Sequence, residues 1–221
     1  MFTYTYEYKT TPQGRTAVEL WHTESRDDWS SSTAQRLEHI LEVEHGLTDN
    51  WDAALYTVFT DVASPNPSED QEFELHEMKL ETRYRFADRG EWPVDVEAYG
   101  EFAKEFGESV YEVEAKAIVA RDFDELTAAL NLIGAVEFGR NVPETEVEVG
   151  WAAGVTYEVH AKLNLGVETF GAIAEDEVEA SLGPSFAFAP TSSFWLTATA
   201  GFGLTDAAAA FAGRLIVGIE L

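Results

Sequence analysis

The side chains able to do chemistry are few in kind. The 221-residue chain holds five histidines, at 22, 39, 45, 76 and 160, and no cysteine. A hydrolytic site would need a serine within hydrogen-bond reach of a histidine that a third group orients. Ser25 and Ser30 to Ser32 lie near His22 in the chain, but no motif joins them to it or to His39. His39 falls between Leu37 and Leu41 on the apolar face of its segment, so a histidine tolerated at a lipid interface is the plainer account. A lipid-modifying enzyme therefore ranks third among the readings below. No histidine lies two residues from another, so no strand face pairs them as metal ligands. Without cysteine there is neither a disulfide framework nor a thiolate site. The acidic runs Ser68-Glu69-Asp70-Gln71-Glu72 and Glu175-Asp176-Glu177 lack the ligand spacing of a calcium loop and read as solvated loop charge. Nothing points to a cofactor.

What the chain has in abundance is carboxylate. A formal net charge of −27 repels phosphates, which argues against nucleic acid and makes cations the better partners. Hydrophobic and aromatic contents of 45% and 13% rule out disorder. No run reaches the roughly 18 uncharged apolar residues that a membrane helix needs.

The elements that must position these charges are strands. Apolar and polar residues alternate with period two in segments of about ten, separated by turn residues, which is the signature of a membrane barrel. Strands are expected at 15–25, 34–45, 51–61, 73–87, 94–105, 110–121, 126–139, 146–159, 163–174, 178–189, 194–204 and 208–221. Short connections (46–50, 88–91, 122–124, 160–162, 190–193) alternate with a second set (26–33, 62–72, 107–109, 140–145, 175–177, 205–207) that holds the longest and most polar loops. The first set is assigned to the periplasmic side and the second to the outside.

In the central part of every strand one face carries no Asp, Glu, Lys or Arg, while the other carries 21 of them, sixteen acidic and five basic. The uncharged face is rich in Ala, Gly and Thr, with aromatics near strand ends such as Trp51, Tyr84, Phe102, Tyr111, Phe138 and Phe202. A sandwich core would favour large aliphatics there; small residues flanked by aromatic girdles suit lipid. The expected fold is thus an all-β, antiparallel, up-and-down transmembrane barrel of about twelve strands over residues 15–221.

Inward positions then line the lumen. The expected pore-lining residues are Glu38, Glu42, Lys79, Glu81, Arg83, Arg85, Asp95, Glu97, Glu101, Glu112, Glu114, Lys116, Glu148, Glu158, Glu168 and Arg214. If the turn at 88–91 sets Phe86 opposite Val94, the facing pairs are Arg85 with Asp95, Arg83 with Glu97 and Lys79 with Glu101. Carried through the turn at 107–109, that register sets Lys116 by Glu97 and Glu112 by Glu101. Such a ladder ties one wall together, and uncompensated carboxylates elsewhere favour cations.

The final segment, Phe211-Ala212-Gly213-Arg214-Leu215-Ile216-Val217-Gly218-Ile219-Glu220-Leu221, resembles the C-terminal strand of bacterial outer-membrane β-barrel proteins, though that family usually ends in an aromatic residue. Residues 44–55 and 160–168 are similar to the strand-turn-strand units of small porin-like barrels, such as those linked to phenol degradation. The resemblance implies the outer membrane, contact with membrane lipids and lipopolysaccharide, and recognition by the barrel-insertion machinery. With that fold and an acidic lumen, the leading reading is a narrow passive channel for small solutes, with a preference for cations. A closed barrel whose outer loops bind a partner is the alternative.

Two features lie outside the strands. Met1-Phe2-Thr3-Tyr4 lacks a basic region followed by an apolar run, so an export signal would have been removed from this numbering. Phe2-Thr3-Tyr4-Thr5-Tyr6-Glu7-Tyr8 carries aromatics on one parity, and an extra spanning strand would make the count odd, which bacterial single-chain barrels avoid. Residues 1–14 are expected in the lumen or at the periplasmic rim as a partial plug, or else as an edge extension of the first hairpin.

Overall fold

A computed structural model describes residues 2–29, 35–62, 74–107, 109–142, 145–174 and 177–221. The chain folds into a closed barrel in which each strand pairs antiparallel with its sequence neighbours and the last pairs with the first. The strands are β1 (Thr16–Arg26), β2 (Gln35–Thr48), β3 (Trp51–Val62), β4 (Glu74–Arg85), β5 (Asp95–Glu105) and β6 (Val110–Phe123). They continue with β7 (Leu126–Gly139), β8 (Glu146–His160), β9 (Leu163–Ala174), β10 (Glu177–Thr191), β11 (Phe194–Gly203) and β12 (Phe211–Glu220). Period-two alternation places the strands well because one face meets an apolar surround and the other a polar interior, so each residue has a single acceptable side.

The outward face is apolar and uncovered. Leu20, Leu80, Phe102, Leu132 and Val149 are 46–60% exposed, far more contiguous apolar surface than a water-soluble monomer shows. Aromatic rings gather at both ends. Phe102, Tyr111 and Phe138 stack in sequence at 6.0 and 5.9 Å, and across the barrel Trp29, Phe202 and Phe211 form a second cluster at the same strand ends, with centroids 5.7 and 5.8 Å apart. Tyr84 and Phe86 meet edge to face at 5.5 Å on the rim of the short turns.

Faces match the sequence reading, but partners across β4, β5 and β6 do not. The amide of Phe86 donates to Val96 O, and Arg85 stands opposite Glu97, Arg83 opposite Tyr99 and Lys79 opposite Ala103. Lys116 likewise opposes Tyr99, and Glu112 opposes Ala103. Each pairing is two residues from the expected one. The connection after β4 is wider than a tight turn: Glu91 N donates to Asp88 O, and Asp95 accepts from Gly90 N at 2.7 Å, which ties Asp95 to its own turn and not to Arg85. A two-residue slip keeps every side chain on its face, so the inward set survives while its partners change.

The outer acidic run 68–72, most of the run 175–177, and Ser30 to Ser32 lie outside the described residues.

Candidate functional site: the carboxylate-lined interior

Eight inward carboxylates, Glu42, Glu44, Asp52, Glu81, Asp95, Glu97, Glu101 and Glu168, are each at most 8% exposed. A buried carboxylate needs donors or a counter-charge. Many of these donors come from the backbone of the N-terminal segment.

Gly14 N donates to Gly46 O at the short-turn end, and from there residues 12 back to 2 run across the inner wall. Thr11 N donates to Asp52 on β3 at 2.8 Å, and Lys9 N donates to Glu97 on β5 at 3.0 Å. On β7, Asn131 accepts from Tyr6 N at 2.6 Å and returns a bond to Tyr6 O at 2.9 Å. On β9, Glu168 accepts the amides of Thr3, Tyr4 and Thr5 at 2.9–3.0 Å. One polar side chain on each of β3, β5, β7 and β9 thus takes the place of a neighbouring strand for a segment that, among the described residues, joins no sheet ladder beyond the bridge of Gln13 to Gly46. Burying those amides unbonded would be costly, and charged acceptors bind them about twice as strongly as neutral ones.

Side chains complete the seating. Phe2 and Tyr8 pack with Ala120 and Ala129. Tyr4 stacks on Phe170 at 3.7 Å, with Arg214 over its ring at 4.3 Å. Lys116 lies between the rings of Tyr6 and Tyr99, at 4.2 and 4.0 Å, and pairs with Glu114 at 2.8 Å.

A second cluster surrounds Arg83, whose guanidinium meets Asp52 at 2.9 Å, Glu81 at 3.1 Å and Glu44. Arg85 turns to the N-terminal segment and to the β2–β3 turn, donating to Thr10 at 2.7 Å and to Asn50 at 3.2 Å. The expected pair of Lys79 with Glu101 does form, at 3.2 Å, as a diagonal contact. Glu148 and Glu158 are exposed near opposite strand ends, Glu112 is partly buried, and Glu38 lies 3.9 Å from Arg214.

Counting charges alone overlooked Asn131, Tyr56 and Tyr99, which are uncharged, and Glu44, which shares the parity of Glu42 but lies near its strand end. The asparagine had a signal: it is the one amide on the inward face of β7, between Ala129 and Ile133. Of the histidines, His22 and His39 face each other outward, with Nδ1 atoms 3.3 Å apart. Ser25 lies on the opposite parity of β1 from His22.

These features define the class: a closed twelve-stranded antiparallel barrel of the bacterial outer-membrane type, with an apolar girdled exterior and a charged interior. No known family model matches the sequence, and no curated protein is detectably similar to it. Among solved structures, the chain is similar to the COG4313 outer membrane channel from Pseudomonas putida F1, with a TM-score of 0.72 at 15% identity over 97% of this chain and 98% of that one. It is similar to the NanC porin, with a TM-score of 0.65 at 10% identity over 93% and 100% of the two chains. It also resembles the KdgM porin in complex with disordered oligogalacturonate, with a TM-score of 0.60 at 9% identity over 92% and 97%. At these identities the likeness establishes the fold.

Proposed function

We propose that this chain is a narrow passive channel of the outer membrane for small solutes, that the inward charges line its path, and that residues 2–12 form a plug within it. The observation that carries this reading is the way the segment is held. Its amides are bound one or a few at a time by side chains on four separate strands, so it can leave without breaking the barrel ladder. The two most similar architectures named above are a channel and a porin.

The path favours cations on this reading. The inward face carries sixteen carboxylates against five cations in its central windows, so an entering anion meets net repulsion. An acidic saccharide such as oligogalacturonate suits this wall poorly. Single-channel recording in a planar bilayer tests both parts. Small, cation-selective conductance that rises when residues 2–12 are deleted is expected. No conductance from either protein would leave a closed barrel, and an anion-directed reversal potential in a salt gradient would remove the charge argument.

A further inference from the structure

The amides of the segment are anchored on β3, β5, β7 and β9, whereas side chains alone meet the wall of β11, β12, β1 and β2, as Lys9 over Trp195 and Arg214 over Tyr4 show. There a cavity of about 110 Å³ remains beside it. We propose that this cavity is a binding site for a small organic ammonium ion, with Glu42 and Glu19 as its anionic groups and Trp195 and Tyr56 as its aromatic walls.

Glu42 carries the inference. It lines the cavity, is 3% exposed, and receives no hydrogen bond or ion pair within 4.0 Å from any described residue. A carboxylate so placed requires a cation or a proton. Its neighbour across the strand pair is Glu19, so two acidic groups face the same space.

Glu19 is built into position. Its two oxygens accept the indole N–H of Trp21 at 2.7 Å and of Trp195 at 3.0 Å. Trp195 reaches Glu19 across an intervening strand because Gly218 lies between them in register, and a Cβ there would stand 2.1 Å from the indole. The tryptophan therefore lies flat and presents a face to the interior. The ammonium of Lys9, from the plug, sits 5.1 Å from that ring. A primary ammonium on an aromatic face beside carboxylates is the chemistry the cavity selects, and Lys9 supplies an internal version of it. Aromatic walls suit an ammonium with a short alkyl body better than a strongly hydrated metal ion, and no group of three metal-ligating side chains occurs among the described residues. The space is wide enough for a small body and so favours a short alkylammonium over a bulky one.

This proposal gives the channel reading above its solute class, but binding can be measured without conduction. Calorimetric titration of the detergent-folded protein with n-butylammonium chloride, against sodium chloride, calcium chloride and sodium butyrate, is the test. Butylammonium alone should bind with release of heat, at least tenfold more weakly in Glu42→Gln and severalfold more tightly in Lys9→Ala. Glu19→Gln should also weaken it, and heat-modifiable gel migration checks that each variant is folded. Equal binding by wild type and Glu42→Gln, or no binding by Lys9→Ala, overturns the site. Binding without conductance would leave the site standing and remove the channel.

Discussion

Glu168 of β9 accepts the backbone amide of Thr5 at 2.9 Å, from a residue 163 positions earlier, and it also holds the amides of Thr3 and Tyr4. A single carboxylate here does for three residues what a paired strand would do. The seating of the segment's end therefore depends on one charge. Glu168→Gln keeps the shape but loses the charge and one acceptor, which weakens the seating by about 3 kcal/mol, taking 1.5–3 kcal/mol for a bond to a charged group and partial retention. Amide hydrogen exchange at residues 3–5 should accelerate by about two orders of magnitude while the β-strand amides stay protected. Unchanged exchange would show that the aromatic contacts alone hold the segment.

The Arg83 cluster makes a contrasting case. Its guanidinium is shared among Glu44, Asp52 and Glu81, all of them buried. Arg83→Met would leave these carboxylates facing one another, and removal of one member of a buried ionic network costs about 3–5 kcal/mol. Arg89 also makes a bidentate pair, with Asp122, but both side chains are 40% exposed at the short-turn end. Arg89→Ala should cost no more than about 1 kcal/mol. Urea unfolding of both variants in detergent micelles, followed by tryptophan fluorescence, compares them directly. Equal losses would mean that burial does not govern these pairs.

Close packing makes a third prediction. A Cβ at Gly154 would stand 2.3 Å from the ring of Phe2, which packs in the cluster with Tyr8, Ala120 and Ala129. Gly154→Ala leaves the β8 ladder intact but pushes the aromatic ring from its place, an overpacking cost of about 1–3 kcal/mol. The segment, joined to the wall by separate contacts, is what should give way. Proteolysis from the short-turn end should shorten the N-terminus of the variant while the wild type resists. A resistant variant would mean that the wall shifts instead.

The fold was legible because lipid and interior impose opposite demands on alternate residues, and a slip by one position is intolerable. The final strands show it: β11 and β12 were expected at 194–204 and 208–221 and occur at Phe194–Gly203 and Phe211–Glu220. Partner identity was not legible, because a slip by two keeps Arg83 and Glu97 inward and is set by a turn whose shape depends on Asp88, Gly90, Glu91 and Asp95 together. The ladder read across β4 and β5 failed on that turn. Glu168 and Glu97 could be assigned to the inner face, yet their service as acceptors for Thr3 and Lys9 could not, since no local pattern ties residues more than 80 positions apart. The cavity beside β1 escaped for the same reason: Trp195, Gly218 and Glu19 come into one row only when the barrel closes.

The contact of Tyr6 with Lys116 offers a measure of N-terminal segment and wall as a coupled pair. The ammonium lies 4.2 Å from the Tyr6 ring and 4.0 Å from the Tyr99 ring, while Glu114 balances its charge. Lys116→Met removes the cation but keeps the stem, and Tyr6→Leu removes one of the two faces. A cation between partly desolvated rings contributes about 1–2 kcal/mol. Because the second face, Tyr99, belongs to the barrel, the single Tyr6→Leu change should leave Lys116 seated and the barrel as stable as before. The double-mutant cycle, read from hydrogen exchange of the Thr3 to Thr5 amides, should then return a coupling of about 1 kcal/mol. Additive effects would mean that Lys116 serves the wall alone, through Tyr99 and Glu114, and that the N-terminal segment is held by its backbone bonds.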